Sequence, residues 1–275
     1  MGETYKTIIK DTFDAVASGY DSAVLRFFAD SAAHMSERLG LRGDEQVLDV
    51  ACGTGHATLA LARRLRRGHV TAVDFSPAML ARARDKAKAL GLRNVDFVEA
   101  DMQALPWRRR FDVAVCTFGI FFVADMDAEL AHIAGTVKPN GRVMITSFAA
   151  GYMEPMRSLL IERVRRLGVE PPAQTWLRIA DLDGCRSFFT AAGLADVAAE
   201  SRDLGYPLSG PEQWWDVVWN AGFRRLVSAL PPPERAAFKA AHLAEVESLR
   251  GGEGIPMPVP VIFTTGRVVG GRPNA

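Results

Sequence analysis

The sequence predicts an α/β fold, an open and mostly parallel sheet with helices on both of its faces, and three observations carry that prediction. Short runs rich in β-branched and other apolar residues recur along the chain, as in Val47-Leu48-Asp49-Val50, Val70-Thr71-Ala72-Val73 and Phe111-Asp112-Val113-Ala114-Val115. Near-continuous apolar runs of this length belong to strands covered on both faces. Between them the apolar spacing turns helical, at Leu59, Leu61 and Leu65 after the first run. The first run is joined to its helix by Ala51-Cys52-Gly53-Thr54-Gly55-His56, where Gly53 and Gly55 permit backbone conformations and close approaches that other residues forbid.

The elements follow in order. Ile8, Ile9, Phe13, Val16 and Tyr20 fall at helical spacing, and Leu25, Phe28, Ala32, Met35 and Leu39 repeat the pattern, so two amphipathic helices precede the first strand. The second strand ends at Asp74, and a third, Val95-Asp96-Phe97-Val98-Glu99-Ala100, runs into Asp101-Met102. The fourth run ends in Cys116-Thr117-Phe118-Gly119, and the turn Lys138-Pro139-Asn140-Gly141 feeds a fifth strand through Ile145. A helix is expected from about Met153 to Leu167, stopped by Pro171-Pro172. Another, around Asp183 to Ala192, leads through Gly193 to a sixth strand near Val197 to Ser201. Ser209-Gly210-Pro211-Glu212 has capping-box spacing ahead of Trp214, Trp215, Val218, Trp219, Phe223 and Leu226. Pro231-Pro232-Pro233 ends that helix, Glu234 to Leu249 makes a second, and Gly251-Gly252-Glu253-Gly254 returns the chain to a last strand at Val259 to Thr265. Residues 208 to 255 therefore read as a helical insertion. Its tryptophans fit either ordinary packing onto the core or, for one of them, a place in a pocket.

Composition bounds the function. A chain of 275 residues, 48% hydrophobic and 24% charged, buries one sizeable core and an elaboration. A net charge of +1 argues against a dedicated nucleic-acid surface, which shows as a strongly basic domain or stripe. Cys52, Cys116 and Cys185 lie far apart and read as reduced, space-filling thiols. The start Met1-Gly2-Glu3-Thr4-Tyr5-Lys6 lacks the basic and apolar regions of a secretion signal, and Lys6 stands where a myristoylation signal has Ser or Thr. With no apolar stretch of the ~20 residues that a span requires, the expectation is a cytoplasmic protein without stable membrane insertion.

The polar residues at the strand ends point to a nucleoside. Asp74 follows the glycine turn at the spacing, about 20 residues, at which a carboxylate meets a ribose diol. An ionised carboxylate accepts two hydrogen bonds and donates none, which suits adjacent 2′ and 3′ hydroxyls. The dinucleotide fingerprint wants a third glycine three residues after Gly55, and that position holds Thr58.

Taken in order, these motifs resemble the class I S-adenosylmethionine-dependent methyltransferases, in the ubiquinone/menaquinone-biosynthesis-like small-molecule branch, over roughly residues 8 to 148. The resemblance implies a Rossmann-like, seven-stranded, mostly parallel sheet with S-adenosylmethionine as cofactor. It implies N-terminal lid helices over 1–45 and a cofactor-binding core over 46–207 and 256–272, with a helical elaboration near 151–180. It makes 208–255 a substrate roof. By position, Asp49 and the loop of Ala51, Gly53 and Gly55 would face the methionine half, Asp74 the ribose, Phe75 and Met79 the adenine face. Asp101 would take the adenine amino group, Met102 the ring edge through its backbone, and Thr117 and Phe118 would lie beside the transferred methyl. The segment ending in Gly19-Tyr20-Asp21 resembles one that folds over the cofactor and brings a tyrosine, Tyr20, close to it. Many relatives have glycine at Ala51, and the added methyl group is expected to be tolerated.

The implied chemistry is in-line transfer of a methyl group to a small, apolar or aromatic acceptor at oxygen, nitrogen or carbon. Orientation carries most of it. Tyr20 and His34 are the candidate polar groups near the acceptor. No cluster of hard oxygen ligands suited to Mg²⁺ is present, so no metal is expected. The rival is a non-catalytic regulatory protein that binds S-adenosylmethionine or S-adenosylhomocysteine, motivated by the lack of an evident base and by apolar Phe118, Phe121 and Phe122. A nicotinamide dehydrogenase is the second rival.

Overall fold

A computed structural model describes residues 3–270 of the chain; Met1-Gly2 and residues 271–272 of the expected core lie outside them. The sheet has seven strands: β1 (Gln46–Val50), β2 (His69–Asp74), β3 (Val95–Glu99), β4 (Phe111–Thr117), β5 (Val137–Phe148), β6 (Leu194–Asp203) and, last in the chain, β9 (Pro260–Val268), in the order β3-β2-β1-β4-β5-β9-β6. Strands β1 to β5 pair in parallel, and β9 enters antiparallel between β5 and β6. The α/β prediction holds. The order reverses between β1 and β4, and in open sheets of this kind ligands collect beyond the carboxyl ends of the strands at that reversal.

The apolar runs explain the layering. Val47, Leu48, Val50, Val70, Val73, Ala114 and Val115 are fully buried, as strands covered on both faces require. Helices α3 (His56–Ala62), α4 (Pro77–Ala89) and α5 (Met126–Thr136) cross between the parallel strands, and α7 (Leu182–Ala191) leads into β6. Cys52, Cys116 and Cys185 are buried free thiols. No helix among the described residues is long and apolar enough to cross a membrane.

The two N-terminal helices are of different kinds. α1 (Glu3–Val16) lies across the strand ends, whereas α2 (Phe27–Arg38) buries Phe27, Met35 and the following Leu39 and packs on α3. α2 is thus mainly core rather than lid: its apolar stripe packs on the main core, and only Phe28 in its first turn reaches the second cleft.

The insertion is richer than the sequence predicted. It holds three helices, α8 (Pro211–Asn220), α9 (Arg224–Ser228) and α10 (Pro232–Glu247), and it is closed at its base by a two-stranded ladder of β7 (Tyr206–Leu208) and β8 (Ile255–Met257). The first predicted helix breaks because Ala221 adopts an extended conformation, φ −128° and ψ −171°. The capping box does not form: Gly210 is the cap residue, and the Ser209 N–H donates to Gln213 Oε1 at 2.7 Å instead of to Glu212. Trp214 and Trp215 are buried, and Trp214 Nε1 donates to His242 Nε2 at 2.8 Å. Packing is the role of these tryptophans. Burial pushes His242 down to about 4, which keeps its ring neutral as the acceptor. The elaboration after β5 comprises α6 (Met156–Arg166) and a short 3₁₀ turn, Thr175–Ile179, whose Thr175 Oγ1 donates to the Phe121 carbonyl at 2.7 Å.

Candidate active site

Two clefts open at the carboxyl ends of the strands and share a wall. The first, about 790 Å³ of space open to solvent, is formed at the tips of β1, β2 and β4 and the loop after β3. It brings together Tyr20, Ala51, Gly53, Asp74, Phe75, Met79, Asp101, Met102, Thr117 and Phe118. The second, about 1150 Å³ of space also open to solvent, lies under α6, the 3₁₀ turn and α9, and its walls are largely aromatic. Ile9, Phe13, Tyr20, Phe118 and Phe122 line both.

The glycine turn is shaped by backbone conformation. Gly53 has φ +54° and an added Cβ would meet no atom within 4 Å, so its missing side chain leaves the floor of the first cleft open. Gly55, at φ +87°, serves packing: a Cβ there would stand 3.1 Å from Ala83 Cβ, across from α4. Ala51 has φ +55°, a left-handed conformation that costs an alanine roughly 1–2 kcal/mol. The expected tolerance has a structural source, because a Cβ on Gly119 would lie 2.7 Å from Ala51 Cβ.

Asp74 sits at the tip of β2 with its Oδ2 accepting from Gly53 N–H at 2.8 Å and its Oδ1 from Ser76 N–H at 2.9 Å. Burial pushes its carboxyl up to about 6 against the pull of these backbone donors. Asp49 is completely buried beneath the turn and does not line the cleft. Its Oδ2 accepts from Thr58 Oγ1 at 2.5 Å and its Oδ1 has no partner among the described residues. Burial pushes it up to about 7, and the charge of Asp74 adds to the effect.

His34 is the expectation that fails. It lies on α2 with Nε2 2.7 Å from Glu200 Oε1 on β6, its ring is edge-on to Phe263, and neither cleft includes it. The cause is the burial of α2 in the core, which turns His34 toward the far edge of the sheet. Tyr20 does line both clefts, stacked on Phe28 at 4.8 Å. Burial, reinforced by Asp74 and Asp21, pushes its hydroxyl well up, so it is a hydrogen-bond donor rather than a base.

Sequence reasoning missed the fastenings of α1 and the segment that follows it. Lys6 Nζ reaches Asp101 Oδ2 at 2.6 Å, and Asp14 Oδ1 accepts from Ser76 Oγ at 2.5 Å. Asp21 Oδ1 accepts from Thr54 Oγ1 and Lys86 Nζ, each at 2.7 Å, and lies 2.9 Å from His56 Nε2. Burial opposes the charge of Asp21, but the bonds from His56, Lys86 and Thr54 outweigh it and hold the carboxyl well below the usual range. The insertion grips the same segment: Arg224 donates to the Ala15 carbonyl at 2.7 Å, and Asn220 approaches Gly19 so closely that a Cβ would fall 1.9 Å from its Oδ1. The acidic residue beside Tyr20 was the available signal for Asp21. Nothing local marks Lys6 or Asn220, whose partners are distant in sequence.

A reversal of strand order with a glycine turn on one side and carboxyl groups at successive strand tips defines a nucleoside-binding α/β protein. A family model described as a methyltransferase domain matches residues 47–141. The ubiquinone/menaquinone biosynthesis C-methyltransferase UbiE of Idiomarina loihiensis is 35% identical over 153 residues, covering 52% of this chain and 60% of that protein. Nocamycin O-methyltransferase of Saccharothrix syringae is 28% identical over 281 residues, 95% of this chain and 99% of the relative. Among solved structures, magnesium protoporphyrin IX methyltransferase (ChlM) of Synechocystis with bound SAH superposes with a TM-score of 0.60 at 15% identity, over 96% of this chain and 99% of that one. The chain thus carries a methyltransferase domain over residues 47–141 on the fold of the class I S-adenosylmethionine-dependent methyltransferases.

Proposed function

We propose that the protein transfers the methyl group of S-adenosylmethionine to a small apolar or aromatic acceptor. The single observation that carries this reading is the wall of Phe13, Tyr20, Phe118 and Phe122 common to the two clefts. A nucleoside on one side and an acceptor on the other meet there, with aromatic rings excluding water.

The residues of the first cleft fit the cofactor. The open floor at Gly53, the spare lone pairs of Asp74 and the unpartnered Asp49 Oδ1 below it make a polar, anionic seat for a cationic nucleoside. Asp74 would accept the ribose hydroxyls, Asp101 the adenine amino group, and Phe75, Met79 and Met102 would enclose the ring. When bound, the cofactor supplies a methyl group already activated on a sulfonium. Thr117 and Phe118 at the tip of β4 fix the approach to it, and alignment of this kind contributes ~7–11 kcal/mol in favourable cases. Residues 208–255 act as the roof, a reading supported by Ala221, Phe223 and Leu226 in the wall of the second cleft. A small molecule rather than nucleic acid fits an aromatic cleft on a chain of net charge +1.

The test is calorimetric titration with S-adenosylhomocysteine, followed by transfer of labelled methyl to a panel of phenols, quinols, amines and acids. Failure of the nucleoside to bind, or its binding outside the cleft of Asp74 and Asp101, would refute the proposal.

A further inference from the structure

The second cleft carries a charge that nothing balances. Arg225, on α9, lines it and its side chain has no hydrogen bond, ion pair or ring contact among the described residues. Its neighbours show that this is not the rule for arginines here. Arg157 in the same cleft donates to the Tyr152 carbonyl, to Gln174 and to Glu154, and lies over the Trp176 ring at 5.0 Å. Arg224 is spent on the Ala15 carbonyl and on Trp219. A guanidinium facing an aromatic chamber is recognition chemistry for an oxygen anion, which it binds by two parallel N–H donors.

The chamber also lacks the means to remove a proton. Among the described residues its lining includes no histidine, aspartate, glutamate, lysine or cysteine. Its buried phenols, Tyr20 and Tyr152, are pushed up by burial and remain protonated. A nucleophile that arrives ionised needs no base.

We propose that the acceptor is a carboxylic acid on a flat or extended apolar body, bound as its anion with Arg225 as the charge anchor; this rests on the methyltransferase reading above. A lone pair of the carboxylate oxygen forms the new O–CH₃ bond as the S–CH₃ bond breaks, and that bond's electron pair stays on sulfur, giving a neutral thioether. The anion becomes a methyl ester and no proton is exchanged.

The probes are trans-cinnamate and octanoate, each titrated into protein loaded with S-adenosylhomocysteine against cinnamyl alcohol and octylamine. The acids bind at least tenfold more tightly than the matched alcohol or amine. Arg225→Met abolishes that preference, Arg225→Lys keeps most of it, and neither changes affinity for S-adenosylhomocysteine. With labelled S-adenosylmethionine the product is an alkali-labile ester, formed at a rate flat from about pH 6 to pH 9, well above a carboxylic acid's pKa. Absence of acid binding, equal or tighter binding of the alcohol or amine, or an Arg225→Met variant that keeps the preference overturns the proposal. Loss of S-adenosylhomocysteine binding by the unmodified protein instead overturns the methyltransferase reading itself.

Discussion

Replacing Asp74 by asparagine separates what this carboxylate does for the fold from what it does for the ligand. In the free protein it accepts one backbone N–H on each oxygen, from Gly53 at 2.8 Å and Ser76 at 2.9 Å. An asparagine keeps one acceptor and points its amide donors at the other N–H, which forfeits a charge-assisted bond worth about 1.5–3 kcal/mol. Against that, burial raises the carboxyl to about 6, so keeping it ionised at pH 7 costs about 3 kcal/mol relative to an exposed aspartate. The two effects nearly cancel, and Asp74→Asn is expected to change stability at pH 7 by no more than about 1–2 kcal/mol. The ligand has no such compensation. Loss of charge-assisted bonds to a ribose diol weakens S-adenosylmethionine by about 2–4 kcal/mol, roughly 30- to 1000-fold. The sign of the pH dependence follows from the raised value. The native state holds its proton up to about 6 and the unfolded chain only to about 4, so Asp74 contributes most below pH 4 and its contribution fades as pH rises toward 6. The stability of the natural protein relative to Asp74→Asn therefore falls between pH 4 and pH 7. Urea unfolding at several pH values and calorimetric titration measure the two quantities. A well-folded variant that binds S-adenosylmethionine within threefold of the natural protein would refute the ribose role, and an invariant stability difference would refute the burial argument.

Asp21→Ala strands Lys86 and Thr54 and is expected to cost about 2–4 kcal/mol in urea unfolding at pH 7. Because the carboxyl is held low, that difference is full above about pH 4 and shrinks progressively on further acidification; a difference that stays constant from about pH 5 down to pH 2 would contradict the network. Gly119→Ala places a Cβ 2.7 Å from Ala51 Cβ and 3.1 Å from Cys116 Sγ and is expected to destabilise by ~1–3 kcal/mol. Adding Ala51→Gly should restore most of the loss, and additive thermal-denaturation effects would show that the two positions do not touch. His34→Ala, remote from both clefts, leaves cofactor affinity within twofold in the same titration; a tenfold loss would return His34 to the site.

The parallel half of the sheet was readable because strands buried on both faces must be apolar throughout, and Val47-Leu48 and Val70-Thr71-Ala72-Val73 leave no other interpretation. The carboxyls at Asp74 and Asp101 were readable because they interrupt or end such runs. His34 was misread because periodicity locates an apolar stripe without saying which apolar surface receives it; α2 reaches the second cleft only through Phe28 and otherwise covers α3. The short ladder of β7 and β8 escaped because Tyr206-Pro207-Leu208 and Ile255-Pro256-Met257 each carry a proline, which edge strands tolerate and sequence patterns read as loop. Arg225 carries no local signature at all: its meaning comes from which other arginines are occupied.

Ile9 and Phe13 of α1 face the nucleoside cleft and the aromatic cleft at once, and Lys6, Asp14 and Asp21 clasp this segment to Asp101, Ser76 and Thr54. One helix is thus ceiling to both compartments, and it cannot rise to admit a nucleoside without dismantling the acceptor's chamber. On the proposed reading, binding is expected to be sequential, with the methyl donor first in and its spent thioether last out. In steady-state kinetics that thioether competes with the donor and shows mixed inhibition against the acceptor.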